Sequence, residues 1–194
     1  MVAALDRVLL IREAPMPANH SMGDFSQDAE LVQAARGGDR AAFGELYERY
    51  VRMVHGVLLA HVPYAEVDDL VQDVFLIMLR RLDSLREPTA FAGWLLAIAR
   101  NRAHDFHRRP REAAEFQDTA GRNDPDEQEA RAALEAIQSL PEAYRETLSL
   151  RLVEGMTGPE IAARTGLTPA SVRVNLHRGM KQLREKLGKS IAHE

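Results

Sequence analysis

Two clusters of charged side chains stand out in the middle of this 194-residue chain. Asp68, Asp69 and Asp73 lie close together, and Asp73 stands too far along its predicted helix for attraction to the helix dipole to explain it. Five arginines fall between residues 100 and 111, shortly after Trp94. Arginines beside an aromatic ring suit single-stranded DNA, because bases stack on the ring and phosphates pair with guanidinium groups. The acidic cluster instead suits a basic protein surface.

Each cluster also has a plain structural interpretation. Asp68 and Asp69 fit the first turn of a helix, where carboxylates favour the dipole. Phe91, Trp94 and Leu95 have the spacing of core residues on one helix face. Packing gives no reason for a helix end so rich in arginine, so the basic cluster keeps its interpretation as a site for a polyanion.

Metal and catalytic chemistry find little support in the sequence. His104 and His107 stand one helical turn apart and could ligate a metal, but no third ligand is clustered beside them. Phosphate contact or plain exposure is therefore favoured, and we predict no metal site. The chain has no cysteine, no glycine-rich phosphate loop and no Ser/His/Asp arrangement. We expect no catalytic residue, no cofactor and no small-molecule substrate.

A third candidate site lies near the carboxyl end, where residues 160–187 have the layout of a helix-turn-helix. The buried face of its long helix is marked by Val172, Leu176, Met180, Leu183 and Leu187. The opposite face carries Ser171, Arg173, Asn175, His177, Arg178 and Lys181. These residue types suit the major groove of DNA, because arginine pairs with guanine and asparagine with adenine. The alternative is a solvated charged helix in an ordinary bundle.

Helical periodicity covers most of the chain, and no stretch alternates with period two, so we predict an all-α protein. The predicted helices span residues 28–36, 40–61, 65–82 and 90–107, then 130–137, 140–153, 161–164 and 169–187. Gly37 and Gly38 break the chain after the first helix. The predicted caps are Asp39, Thr89, Ser139, Thr157 and Thr168, with capping boxes at Ser139 and Thr157.

The helices form two groups, which predicts two small helical domains joined by a flexible acidic linker. The amino-terminal bundle takes residues 27–109, the linker 110–126 and the helix-turn-helix domain 127–188, with tails at 1–26 and 189–194. Eight acids against two arginines lie between residues 112 and 135. The first tail is predicted to be disordered, or to precede a true start at Met22, and a regulatory arm is the alternative. No apolar run reaches the ~20 residues of a membrane span, and we expect a cytoplasmic protein.

Four stretches, in this order and spacing, resemble the bacterial sigma-70 family in its compact extracytoplasmic function (ECF) group. They are DAELVQAARGGDRAAFGELYERY at 28–50, AEVDDLVQDVFLIML at 65–79, FAGWLLAIARNRAHDFHRR at 91–109, and LPEAYRETLSLRLVEGMTGPEIAARTGLTPASVRVNLHRGMKQLREKL at 140–187. The resemblance implies an all-α sigma factor, with region 2 at 27–109 and region 4 at 127–188. Such a protein binds core RNA polymerase, recognises the −10 and −35 promoter elements and helps to separate the DNA strands.

The resemblance also implies roles for individual positions. The positions that match the polymerase-docking segment are Asp68, Asp69, Val71, Gln72, Asp73 and Phe75. The loop 83–88 matches one that captures an extruded base of the −10 element. The positions implied to bind the −10 region are Ser84, Arg86, Trp94, Arg100, Asn101, Arg102, His107 and Arg108. The resemblance implies that the exposed face of the last helix, described above, binds the −35 element.

The chain departs from the family pattern at several places. Pro159 stands where an acidic residue is more common, and Val174-Asn175 replaces a common Ser-Arg pair, so the promoter sequence does not carry over from other members. The amino-terminal tail is also longer than usual. A free-standing dimeric regulator and a nucleic-acid-processing enzyme are the other hypotheses. Neither accounts for the acidic segment and the −10 features together.

Two expectations concern the whole chain. The two DNA readers should be weak alone and strong together, because a tether raises the effective concentration of the second. The free protein should be held inactive, either by an anti-sigma factor or by packing of its two domains on each other. Both basic surfaces would otherwise be exposed.

Overall fold

The computed structural model describes residues 24–108 and 125–191 of the chain. Within those ranges there are eight α-helices and no strand, which confirms the all-α prediction. The helices are α1 Asp24–Arg36, α2 Arg40–Leu59, α3 Val67–Arg81, α4 Phe91–Arg108, α5 Pro125–Gln138, α6 Glu142–Leu152, α7 Gly158–Thr165 and α8 Pro169–Ile191. Most of the predicted linker and amino-terminal tail, and the last three residues, lie outside the described part. No described helix combines the length and apolarity needed to cross a membrane.

Several helix ends follow the local chemistry that the sequence displays. The carboxylate of Asp39 accepts hydrogen bonds from the backbone N–H groups of Ala41 and Ala42, which starts α2. Thr157 and Glu160 form a reciprocal capping box that starts α7. Gly166 ends the same helix in the left-handed conformation, with φ of 73°. The predicted caps at Asp39 and Thr157 are thereby confirmed.

Two of the predicted caps are wrong. The Ser139 hydroxyl donates back to the carbonyl of Ala136 in α5, and α6 begins after Pro141 without a side-chain cap. Thr89 lies inside the 3-10 turn Pro88–Ala90, and its hydroxyl donates to Glu87. In both places a proline with its fixed φ precedes the helix, and the neighbouring hydroxyl bonds to a local acceptor instead of capping the helix.

The third helix is shorter at both ends than its apolar pattern predicts. The 3-10 turn Tyr64–Glu66 precedes α3, and the 3-10 turn Leu82–Ser84 follows it. Other helices are longer than predicted. Helix α1 begins four residues before the predicted start at residue 28, and α8 continues four residues past residue 187.

The larger apolar core forms around α2, which contacts α1, α3 and α4. Leu46, Met53 and Leu58 of α2 are fully buried, as are Phe91 and Leu95 at the start of α4. The interpretation of Phe91 and Leu95 as core residues is therefore correct. A second, smaller core holds the carboxyl-terminal helices together through Ile137, Leu140, Leu148, Leu183 and Leu187.

The two helical groups pack on each other. Residues of the carboxyl-terminal group join the larger core, and they are Leu150, Met156, Ile161, Ala162 and Val172. The two groups approach each other closely at Gly56 of α2. A Cβ atom placed there would stand 2.7 Å from Glu154 Cγ and 2.8 Å from Leu150 Cδ2. The absence of a side chain at Gly56 therefore permits this contact between the groups.

Alanine substitutions at the two glycines of α2 should change stability in opposite directions. An added methyl at Gly44 meets nothing within 4 Å, so Gly44→Ala should stabilise the helix by about 0.5–1 kcal/mol. The methyl of Gly56→Ala collides with Leu150, and such overpacking costs about 1–3 kcal/mol. Chemical denaturation of both variants beside the wild type measures the difference. Equal stabilisation by the two substitutions would contradict the close packing of α2 against α6.

Candidate functional site

The first turn of α3 presents the acidic cluster to solvent. Asp68, Asp69 and Gln72 are exposed, whereas Val71 and Phe75 are buried at 5% and 4% relative exposure. The helix therefore divides the predicted protein-binding positions into two kinds. Three are free to touch a partner, and the two apolar ones fix the helix against the core.

Large apolar side chains extend this surface along α3. Leu76 and Leu79 are 48% and 51% exposed. Tyr47 of α2 stands beside the same helix, with its ring centroid 4.5 Å from that of Phe75. Sequence analysis did not single out Leu76 and Leu79. The signal was available, because both fall off the helical stripe formed by Leu70, Val74 and Met78.

Asp73 has a different environment from the other acids. Its carboxylate accepts a hydrogen bond from the Arg102 guanidinium of α4, whose side chain is only 14% exposed. This ion pair joins a position predicted to contact protein with one predicted to contact DNA. Substitution of Asp73 would therefore disturb both surfaces.

A short loop between α3 and α4 displays polar side chains on an anchored backbone. Leu82 and Leu85 are buried at 3% and 6%, and Ser84 and Arg86 beside them are exposed. The Ser84 hydroxyl donates to the carbonyl of Arg81 over 2.6 Å. The buried leucines thus anchor the loop to the core, while its polar side chains face solvent.

The basic end of α4 is only partly open. Asn101 and Arg108 are exposed, and Trp94 is half-buried with its ring centroid 6.1 Å from that of Phe91. His107 Nε2 lies 2.7 Å from the carbonyl oxygen of His61. Two further arginines of the cluster, at 109 and 111, lie outside the described residues.

Arg100 crosses from the amino-terminal helices to Glu146 of α6. Its Nε donates to Oε1 over 3.0 Å and its Nη2 donates to Oε2 over 2.6 Å. His61 Nε2 lies 2.7 Å from the same Oε1, and the Glu146 side chain is 7% exposed. Burial opposes the charge, but the hydrogen bonds from His61 and Arg100 bring the pKa of Glu146 below its usual value. The carboxylate occupies the edge of Arg100 that would bind a phosphate.

Further polar contacts surround this pair. Arg145 Nη2 lies 3.0 Å from His61 Nδ1. The Gln138 amide donates to the carbonyls of Leu59 and Val62 at the end of α2, over 2.8 and 2.9 Å. These contacts satisfy backbone carbonyls that a helix end leaves unpaired.

A second ion-pair cluster, centred on Glu154, also joins the two groups of helices. His55 Nδ1 lies 2.6 Å from Glu154 Oε1, and Arg52 Nε lies 3.8 Å from Oε2 of the same carboxylate. Asp68, Val71 and Gln72 help to line a crevice of about 380 Å³ at this point, together with His55 and Glu154. Part of the acidic surface of α3 therefore borders the carboxyl-terminal group.

The described residues bring one set of possible metal ligands together. His61, Glu142 and Glu146 place their ligand atoms within 4.8 Å of one another. Two guanidinium groups, from Arg100 and Arg145, already bond to members of this set. Their positive charges oppose a metal cation, so an ion-pair cluster is the better description.

The last helix is oriented as its periodicity predicts. Val172, Leu183 and Leu187 are buried at 1%, 1% and 8%. The exposed basic face comprises Arg173, His177, Arg178 and Lys181.

Two predicted groups on α8 make contacts within the protein instead. The Asn175 amide points toward α6 and donates to Thr147 Oγ1 over 3.4 Å. The Ser171 hydroxyl lies 2.9 Å from that of Thr168 at the start of the helix. Asn175 is therefore turned away from the exposed face, whereas Ser171 stays exposed beside the cationic residues with its hydroxyl next to that of Thr168.

Two family models match this chain, one after the other. Sigma-70 region 2 matches residues 46–112, and Sigma-70, region 4 matches residues 130–183. The RNA polymerase sigma factor CarQ of Myxococcus xanthus is 36% identical over 166 residues, which cover 81% of this chain and 95% of the relative. The ECF RNA polymerase sigma-E factor of Escherichia coli strain K12 is 31% identical over 185 residues, or 86% of this chain and 97% of that protein.

A solved structure is also similar. It is described as the structure of CnrH in complex with the cytosolic domain of CnrY. The TM-score is 0.59 at 28% sequence identity, and the match covers 84% of this chain and 97% of that one.

Replacement of His55 should destabilise the protein in a pH-dependent way. The hydrogen bond to Glu154 holds the pKa of His55 above its usual value of 6.5, although burial acts in the opposite direction. Folding therefore binds a proton, and this stabilisation is fully present below pH 6.5 and is lost as the pH rises through the raised pKa. Denaturation of wild type and His55→Gln across this window measures the effect. A difference between the two that does not shrink with rising pH would contradict the ion pair.

Proposed function

This chain belongs to the ECF group of the sigma-70 family. We propose that it is a promoter-specificity subunit whose separate exposed surfaces bind RNA polymerase, the −10 element and the −35 element. As a member of that family it directs RNA polymerase to promoters, recognises the −10 and −35 elements and promotes strand opening. The observation that carries this conclusion is the succession of a region 2 match and a region 4 match along one chain. The protein acts by binding, in the cytoplasm, with no catalytic residue of its own.

Polymerase docking is assigned to the exposed face of α3. Asp68, Asp69 and Gln72 supply charged and polar contacts to a basic partner, and Leu76 and Leu79 supply exposed apolar area beside them. Val71 and Phe75 act by holding the helix in place, because both are buried. An interface with an apolar centre and a charged rim is typical of specific protein association.

The −10 element is assigned to the loop after α3 and the basic end of α4. Ser84 and Arg86 on the loop and Asn101 and Arg108 on α4 are exposed to a DNA strand. Extruding a base costs a few kcal/mol, which stacking and pocket contacts offset. Trp94, half-buried beside this surface, offers one aromatic face for such a contact. Region 2, at residues 27–109, would then combine polymerase docking with strand opening.

The −35 element is assigned to α8 in region 4, at residues 127–188. Arg173, His177, Arg178 and Lys181 form an exposed row that suits base edges and phosphates in the major groove. Asn175 would join them only after releasing Thr147.

The packed arrangement of regions 2 and 4 is assigned to the inactive protein. Arg100, a candidate −10 contact, is held by Glu146 of region 4 through two hydrogen bonds. Release of that contact frees the guanidinium for a DNA phosphate. Binding by an anti-sigma factor is the second way in which this chain would be kept inactive, and the similar structure of CnrH is likewise a complex with a second protein, the cytosolic domain of CnrY.

Run-off transcription tests the docking surface directly. Purified protein and core RNA polymerase, on a pool of the organism's own upstream DNA, should yield discrete transcripts. The double substitution Asp68→Ala with Asp69→Ala should reduce both polymerase affinity and transcript yield by about tenfold or more, because two contacts with a basic surface are lost.

The matched control removes the same charge elsewhere on region 2. Glu30→Ala with Glu48→Ala neutralises two exposed acids of α1 and α2 and should leave both measurements near the wild-type level. Asp73 is left intact in this design because its loss would also release Arg102. Transcripts unchanged by the Asp68 and Asp69 substitutions would contradict the docking assignment, and DNA binding without any polymerase-dependent transcript would favour a free-standing regulator.

The inactive packing predicts that Glu146→Gln activates the free protein toward DNA. The neutral amide holds Arg100 less strongly, so affinity for a single-stranded oligonucleotide of the −10 region should rise by about tenfold, which corresponds to ~1.4 kcal/mol. Fluorescence anisotropy without polymerase measures the affinity, and Glu135→Gln, an exposed position on α5, is the control. Gly56→Ala should raise the affinity by an independent route. Identical affinities for all four proteins would contradict a blocking role for the interface.

A further inference from the structure

The structure assigns a positioning role to Arg36, the last residue of α1. We propose that Arg36 holds the loop after α3 in the shape that receives a base of the −10 element, an inference that rests on the proposed function of that loop. Arg36 would not touch DNA itself. It would act through the backbone of the loop, from a helix that belongs to none of the three surfaces assigned above.

The contact is specific and spans a long distance in the chain. Arg36 Nε donates to the carbonyl of Leu82 over 3.1 Å, and Nη2 donates to the same oxygen over 3.0 Å. Nη2 also donates to the carbonyl of Leu85. The Leu82 carbonyl additionally accepts the backbone N–H of Leu85 over 3.2 Å, which closes the turn. One guanidinium group therefore joins the two ends of the turn.

The chemistry explains why arginine suits this position. Carbonyls at the end of a helix have no intrahelical donor, and a cation there is favoured by the helix dipole. A guanidinium group is planar and presents several donors at fixed angles, so it can bond to two neighbouring carbonyls at once. A lysine ammonium group would supply the charge and donors without that fixed geometry.

The loop is held at its far end as well. The 3-10 turn Pro88–Ala90 packs on α1, and Leu82 and Leu85 reach into the core. Between these supports Asp83 and Ser84 are exposed. The backbone that carries them is thus ordered before any ligand arrives, and a site ordered in advance avoids the loss of conformational freedom on binding.

The consequence is a defined change in promoter selection. Without Arg36 the loop would have to be ordered by the DNA, so the preference for the captured base would fall while polymerase docking through α3 would persist. A residue that merely stabilised region 2 would instead weaken every function of that region together.

The experiment measures base preference at each position of the −10 element. A promoter found by run-off transcription is randomised across that element, and the transcripts made by the holoenzyme are sequenced. Arg36→Ala should reduce discrimination by about fivefold to tenfold at one position or two adjacent positions, the size expected for one lost base contact. Arg36→Lys should retain part of the discrimination. Affinity for polymerase should change by less than about twofold, since the docking residues are untouched.

Controls separate this inference from the function on which it rests. Arg40→Ala removes an exposed arginine near the end of α1 and should leave the preference profile unchanged. Asp83→Ala and Arg86→Ala test the loop itself. They should reduce the base preference at the same position of the −10 element as Arg36→Ala does. If the loop variants flatten no position, the assignment of the loop is wrong and the role of Arg36 is lost with it.

Two other outcomes overturn the role of Arg36 alone. In one, the loop variants reduce the base preference at a position of the −10 element, whereas Arg36→Ala leaves the preference profile unchanged, as Arg40→Ala does. In the other, both Arg36 variants lower all positions and polymerase affinity equally, which would indicate a packing role. If Arg36→Ala unfolds below the assay temperature, Arg36→Gln takes its place, because its amide still donates to one carbonyl.

Discussion

The buried carboxylate of Glu146 is the constraint on which the arrangement of the two regions depends. A charge removed from water needs partners of opposite sign and good hydrogen-bond geometry, and its loss of hydration is otherwise costly. Glu146 finds its partners, Arg100 and His61, on the other region of the chain. In the packed state that requirement is met across the interface, where the apolar contacts of Leu150 and Ile161 join the same two regions.

In the proposed function this contact would join regulation to recognition, because the same atoms of Arg100 would serve both. A guanidinium edge satisfied by a carboxylate cannot bind a phosphate at the same time, so region 4 would compete with DNA for Arg100. Most other groups at the interface behave differently. The Leu59 and Val62 carbonyls that accept from Gln138 would accept from water once the regions separate. The cost of opening is thus concentrated in the ion pairs and in the shared apolar core.

The surfaces of region 2 are likewise joined to one another by contacts between their helices and loops. Asp73 and Arg102 link α3 to the basic end of α4, and Arg36 links α1 to the loop that follows α3. Each exposed contact residue stands on a backbone that several other elements hold. Side chains such as Val71 and Phe75, which match the docking segment of the family, act from within the core.

The sequence by itself determined the helices, most of their ends and the family. Period 3.6 marks the buried stripe of α8 because each residue's face is set by its place on one helix, so Val172 is buried and Arg173 is exposed. The Thr157–Glu160 box could likewise be read from residues three apart. Only the tertiary structure decided which partner each charged side chain meets: Glu146 for Arg100, Asp73 for Arg102, and the backbone carbonyl of Leu82 for Arg36. Such partners are brought together by packing over 29 to 46 residues of chain, and hydrogen bonds require atoms to be placed within a few tenths of an ångström. A linear pattern does not carry that information.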